Sequence, residues 1–239
     1  MNIDKDSLRV KLFADGADLN DMVEMAARPY ISGLTTNPTL MKKAGISNYV
    51  NFAKEVLREI PNKPVSFEVF ADDLSEMQIQ AEKISSWGEN VFVKIPITNT
   101  KGISTSSVIQ NLTNKEIKVN VTALMTSAQV KNLSSVLDPG VKSFVSVFAG
   151  RIADTGRNPV PIIEESLGIL EENKLAELIW ASPRELYNVI QANEIGCHII
   201  TATKDILGKL DLIGYDLELF SLDTVKMFYE DGVKSQLSI

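Results

Sequence analysis

Cysteine and histidine each occur once in the 239 residues, side by side at Cys197 and His198. One cysteine excludes an internal disulfide framework and a Cys-based zinc cluster, and one histidine excludes a two-histidine metal site. Long apolar runs are missing too. No stretch approaches the ~20 residues that a membrane span requires, and the first ten residues, MNIDKDSLRV, hold no apolar core of signal-peptide length. Basic residues are outnumbered, 24 Lys and Arg against 31 Asp and Glu for a formal charge of −7, so general affinity for nucleic acid is not expected. There is no G-x-G-x-x-G and no G-x-x-x-x-G-K-[ST], which removes the usual loops for dinucleotides and nucleoside triphosphates. No Pro/Ser/Gly linker, charge block or low-complexity run divides the chain. With 44% hydrophobic and 23% charged residues, the expectation is one globular domain over residues 1–239. It is placed in a reducing cytoplasm, with no membrane or nucleic-acid partner.

What the chain does have is regular punctuation. Short β-branched or aromatic runs occur at residues 11–15, 31–36, 65–70, 91–97, 118–124, 143–148, 176–182 and 198–203. Stretches of helical apolar spacing separate them, among them NYVNFAKEVLREI from Asn48, LSEMQIQAEKISSW from Leu74 and PRELYNVIQANEIG from Pro183, the last closing on the candidate C-cap Gly196. Eight strand–helix units in this length predict a (β/α)8 TIM barrel in preference to an open doubly wound sheet. A further segment, 214–239, is expected to add a C-terminal helix. Its Val225, Met227, Phe228 and Val233 form an apolar face that would pack on the barrel or on a neighbouring subunit.

Residues two apart on a strand share a face. By that rule Lys94 lies with Phe92 and Pro96 in VFVKIPI, an amine in a largely dry setting. Burial favours neutral lysine, the nucleophile that forms an imine with a carbonyl. A strand-end lysine snorkelling to water is the bland alternative. Other strands carry polar residues near their C-terminal ends, where barrels of this kind build active sites. These are Asp15, Asn37, Glu68, Asn120, Thr122, Ser146 and Ser182. Singly they read as caps, turn residues, an ion-pair partner of Lys94 or a β-former. Together they supply a nucleophile, two carboxylates and donors for a polyol. Arg151 and Arg184 follow the sixth and seventh strands, and Arg184 stands near Ser182 and an expected helix start, an arrangement suited to a phosphate. Surface ion pairing is the alternative for both. Cys197 and His198 fall at the entry of the eighth strand, as a packed thiol and a structural imidazole.

The segments GLTTNPTL (33–40), VFVKIPIT (91–98), VNVTALMTSAQ (119–129), SVFAGRIADTG (146–156) and ASPRELYNVIQANEIGCHIIT (181–201) together resemble the transaldolase family in its short form. The likeness runs from about Leu12 to Leu210. It implies a metal-free, cofactor-free class I enzyme that moves a dihydroxyacetone unit between sugar phosphates through a lysine Schiff base. Lys94 matches the imine-forming lysine, Asp15 the acid/base at carbon–carbon bond cleavage, and Glu68 with Thr122 the pair that moves protons through a water. Asn37, Asn120 and Ser146 match groups that hold the three-carbon unit, and Arg151, Ser182 and Arg184 match the phosphate site. Related fructose 6-phosphate aldolases usually carry Gln at the position of Glu68 and Tyr at that of Phe148, so the chain is expected to be a transferase. An aldolase-type lyase, a relative specialised for another sugar, and a non-catalytic sugar-phosphate-binding barrel are the alternatives. Pro183 and Gly16 depart from the family pattern, beside the phosphate end and Asp15. The resemblance also implies a homo-oligomer.

Overall fold

The structure, a computed structural model, describes residues 7–235. The eight expected runs form strands β1 (Lys11–Asp15), β2 (Ile31–Thr35), β3 (Val65–Glu68), β4 (Val91–Pro96), β5 (Val119–Leu124), β6 (Ser143–Val147), β7 (Ala176–Trp180) and β8 (Ile199–Thr203). All pairings are parallel, in sequence order, and β8 closes on β1. Helices alternate with them: α1 (Leu19–Ala26), α2 (Pro38–Lys43), α3 (Tyr49–Glu59), α4 (Leu74–Ser85), α5 (Ser106–Thr113), α6 (Ser127–Ser134), α7 (Ala149–Ala153), α8 (Val160–Leu170), α9 (Tyr187–Glu194), α10 (Lys204–Leu207) and α11 (Leu217–Lys234). The architecture is a (β/α)8 barrel.

Local chemistry sets most boundaries. Asp18, Asn37, Asn48, Asp73 and Thr126 each accept a hydrogen bond from a first-turn N–H of the helix that follows, satisfying donors that the helix itself cannot. Thr126 and Gln129 do so reciprocally. One expectation shifts. The helix read from Pro183 begins only at Tyr187; before it the N–H groups of Arg184 and Glu185 donate to the Asn188 side chain, and Ser182 sits at φ +60°. It ends as expected, with Gly196 at φ +72°. The last helix, Leu217–Lys234, lies within the expected C-terminal extension and is capped by Asp216, which accepts from the N–H groups of Glu218 and Leu219.

The two faces of each strand do different work. Outward residues such as Leu34, Phe67, Val93, Val121 and Trp180 fill the layer between barrel and helices. Inward residues Phe13, Phe92, Phe144, Ile179 and Ile199 plug the barrel's N-terminal half. Phe92 stacks on Phe144 at 4.0 Å, and Phe13 meets Phe144 edge-on at 5.5 Å. Gly33 makes room for this plug: a Cβ there would stand 2.5 Å from the Phe13 ring. α11 lies apart from both layers, with no residue buried. Packing on the barrel is therefore not what the apolar face of the C-terminal extension does, and residues 236–239 of that extension lie outside the described residues. Among the described residues no helix is long and apolar enough to cross a membrane.

Since Phe13 is itself buried and braced by Phe144, its ring has little room to yield. Gly33→Ala should lower the unfolding free energy by about 1–3 kcal/mol, the usual cost of overpacking. Adding Phe13→Leu should recover part of that loss in denaturant titration. A Gly33→Ala protein as stable as the parent would contradict this packing.

Candidate active site

The polar residues of the inward faces converge above the aromatic plug. Register decides who meets whom: Glu68 on β3 lies directly across from Lys94 on β4, and Lys94 directly across from Asn120 on β5. Lys94 is 6% exposed. Its Nζ is 3.3 Å from Glu68 Oε2 and donates to the Thr36 carbonyl at 2.9 Å. In a poorly solvated interior a charge is tolerable only with such partners.

Asp15, at the end of β1, is held from two sides. Thr35 Oγ1 donates to its Oδ1 at 2.8 Å and Asn37 Nδ2 to its Oδ2 at 3.2 Å. Thr35 has one hydroxyl proton and gives it to Asp15, so in the 2.6 Å contact between the two threonine hydroxyls Thr201 is the donor. Asn37 combines two roles, since its Oδ1 also caps α2. Deeper, Ser146 Oγ donates to Asn120 Oδ1 at 2.7 Å and Asn120 Nδ2 to Ser66 Oγ at 2.9 Å, a chain across three strands. Thr122 Oγ1 is buried and has no hydrogen-bond partner among the described residues. Tyr49 on α3 fixes the end of β3 by donating to the Glu68 carbonyl at 2.9 Å.

A cavity of about 350 Å³ opens over this cluster, within the range that holds a small ligand. Asp15, Asn37, Glu68, Lys94, Thr122, Ser146, Arg151 and Ser182 line it, with Phe148 on the wall. Asn120 lies beneath this lining. Arg184 stands outside it, its guanidinium on Asp154, and the helix start expected beside it lies three residues further on. Thr35, Ser66, Thr201 and the Thr36 carbonyl join the site without having been singled out. Strand parity carries the signal for Ser66, two residues before Glu68, whereas the Thr36 carbonyl leaves none. Cys197 and His198 are remote. The buried Cys197 thiol is pushed up to about 12 by burial, and His198 Nδ1 accepts from the Leu178 N–H at 3.0 Å.

Burial pushes the Asp15 carboxyl above the usual carboxylate range, opposed by the Lys94 charge and by the Thr35 and Asn37 hydrogen bonds. Burial likewise raises Glu68 against the pull of Lys94, with Asp15 adding a further push upward. Proton acceptors raised toward neutrality suit acid/base work. A carboxyl whose pKa is raised by folding costs stability as pH rises through that pKa, and the cost is absent below the unfolded-state value. Asp15→Asn should therefore unfold at a higher temperature than the parent at pH 7, with the gap closing in acid below the usual carboxylate range. Equal Tm values at pH 7 would mean that the partners fully offset burial.

Comparison with known proteins adds an independent line. A family model described as transaldolase/fructose-6-phosphate aldolase matches residues 12–236. A "Probable transaldolase" of Sulfurihydrogenibium sp. is 34% identical over 202 residues, covering 84% of this chain and 88% of its own length. One of Thermoanaerobacter sp. is 31% identical over 231 residues, covering 96% and 100%. Among solved structures, a HpcH/Hpal aldolase/citrate lyase family protein from Burkholderia cenocepacia superposes with a TM-score of 0.60 at 14% identity, over 93% of this chain and 98% of that one. That likeness concerns the barrel alone. The family model spans nearly the whole length and the relatives exceed 30% identity, so the chain belongs to the transaldolase/fructose-6-phosphate aldolase family.

Proposed function

We propose that the chain is a class I transaldolase that carries a dihydroxyacetone unit from a ketose phosphate to an aldose phosphate on Lys94. The observation that carries this reading is the placement of a buried amine 3.3 Å from one carboxylate, Glu68, in a cavity that a second carboxylate, Asp15, also lines. Fructose 6-phosphate and sedoheptulose 7-phosphate are the donors, and glyceraldehyde 3-phosphate and erythrose 4-phosphate the acceptors. The polar, cation-bearing cavity and the family membership support that choice. The same reading places the reaction in the cytoplasm.

Glu68 accepts a proton from the Lys94 ammonium, and the amine attacks the C2 carbonyl of the ketose. The carbinolamine loses its oxygen as water, with Glu68 supplying the proton beside the Thr122 hydroxyl, and an iminium remains. Asp15 then takes the C4 hydroxyl proton. The C3–C4 bond breaks, its electron pair flows into the iminium to give an enamine, and the aldose leaves. Asn37 and Ser146 hold the three-carbon unit, with Asn120 orienting Ser146 from below. Arg151 and Ser182 take the distal anion, and Arg184 stands behind Ser182. The enamine attacks the incoming aldehyde, Asp15 returns the proton to the new hydroxyl, and hydrolysis frees the product. Phe148 lines the cavity without a hydroxyl. The enamine thus has no tyrosine-activated water beside it, which favours transfer over release of dihydroxyacetone.

We also propose that the chain self-associates through α11. A water-exposed helix carrying Leu217 at 80% and Phe228 at 65% exposure gains by covering that surface with a second copy.

With fructose 6-phosphate and erythrose 4-phosphate the protein should form sedoheptulose 7-phosphate, followed by mass spectrometry, and should need the acceptor to turn over. Dihydroxyacetone appearing without acceptor would instead make it an aldolase. Lys94→Met should be inactive, and Asp15→Asn should lose about 10²–10⁴-fold in kcat. Light scattering should find an oligomer that the double variant Val225→Glu, Phe228→Glu disrupts. A monomeric parent would contradict self-association.

A further inference from the structure

Asp15 is joined to the eighth strand by a chain of two hydroxyls. β1 lies between β8 and β2, and the register sets Thr201 of β8 across from Phe13 and Thr35 of β2 across from Asp15. Both threonines are buried and line the cavity. The 2.6 Å contact between their hydroxyls therefore crosses the inner face of β1, from the level of the aromatic plug to that of the Asp15 carboxylate.

The direction of the chain follows from its end. An ionised carboxylate only accepts, so the Thr35 proton is committed to Asp15 Oδ1 and the Thr201 proton to Thr35. A carboxyl proton on Oδ1 would reverse the chain. Thr35 would then turn its own proton toward Thr201, and the Thr201 proton would be left without a partner among the described residues, because that hydroxyl has no second hydrogen bond there. Linked hydroxyls also polarise one another, so a Thr35 that accepts donates more strongly. Both effects favour the ionised form of Asp15, against the burial that disfavours it. Packing alone gives no reason for the Thr201 hydroxyl, since a valine would fill much the same volume without a polar group to satisfy.

We propose that Thr201 is a positioning residue for the carbon–carbon bond step: by donating to Thr35 it fixes the Thr35 proton on Asp15 Oδ1 and keeps Asp15 ionised, ready to take the C4 hydroxyl proton. The inference rests on the acid/base reading of Asp15 given above. Inside the cavity the charged groups that bear on Asp15 are Lys94 of β4 and Glu68 of β3. On its other side Asp15 borders a neighbouring cavity lined by Asp18 and Asp21 at the start of α1, Lys43 of α2, and Lys204 and Asp205 of α10. Exchanging one neutral side chain for another at position 201 alters none of these charges, so a change in the titration of Asp15 reports the hydroxyl chain.

The test compares Thr201→Val, Thr201→Ala and Thr201→Ser with the parent. In a single turnover of fructose 6-phosphate near pH 7, release of glyceraldehyde 3-phosphate should slow about three- to tenfold in the valine and alanine variants, the net worth of one ordinary hydrogen bond. The acidic limb of that rate should move to higher pH in both. Serine keeps the hydroxyl and should restore the parental rate and profile. Borohydride trapping of the Lys94 imine should run at the parental rate in all three, because the chain does not touch Lys94. Carbon-13 NMR of the Asp15 carboxyl, assigned by its loss in Asp15→Asn, gives a readout independent of turnover, and its titration should move to higher pH in the valine and alanine variants. A merely structural threonine would lower Tm without moving it. An unchanged Asp15 titration in both variants would overturn the proposal. A serine variant as slow as the valine one would overturn it too, since the methyl group and not the hydroxyl would then matter. Failure of the underlying reading looks different: Asp15→Asn would then still cleave the C3–C4 bond at the parental rate.

Discussion

A closed barrel gives an inward-facing charge no route to bulk water except through its open end, and Lys94 follows Phe92 of the aromatic plug by two residues on β4. That single burial organises the site. An isolated ammonium there would carry a desolvation cost of several kcal/mol, so its neighbours must be a carboxylate and a carbonyl, and register supplies both. Glu68 is the cross-strand partner on one side. The Thr36 carbonyl comes from the strand beyond, because β2 ends there and the chain turns away to start α2. Pairing stops short of perfection. The second carboxylate, Asp15, raises the stakes for Glu68 while itself being held in place by Thr35 and Asn37. Burial pushes both carboxyls upward beside the amine, and raised carboxyls suit acid/base work.

The strands and the loops divide the work. Strands place Lys94, Glu68, Asn120, Thr122 and Ser146 to within the tolerance of a β-ladder, so this polar end of the cavity is rigid by construction. The loops at the C-terminal ends set the far end. Of the described non-glycine residues with positive φ, Ala123 within β5 and Ser182 after β7 line the cavity. Gly150 lets two loops touch.

Much of this was legible in the chain. Eight β-rich runs gave eight strands within two residues at each end, and parity alone put Phe92, Lys94, Ser146 and Phe148 on the inward side. The reason is that period-2 patterning reports which face a side chain takes, a local property. Depth and partnership are different, since they depend on register between strands far apart in sequence. Thr35, Thr201 and Ser66 share the alternation of the residues singled out, yet the alternation does not say that Thr201 stands behind Thr35 or that Ser66 completes the Asn120 chain. Arg184 shows the limit most clearly. Its position after β7 suggests a phosphate ligand but does not reveal that Nε and Nη2 pair with Asp154, thirty residues away in sequence. For α11, an apolar face was evident, while what covers it is not written in a single chain.

The most direct measurement is reductive trapping. The protein would be incubated with fructose 6-phosphate in the presence of borohydride, digested, and its peptides mapped by mass spectrometry. Reduction of an enzyme-bound imine should leave a three-carbon adduct on the peptide containing Lys94, and the Lys94→Met protein should acquire none. An adduct on a different lysine, or turnover with no trapped species at all, would contradict the assignment of Lys94 as the nucleophile.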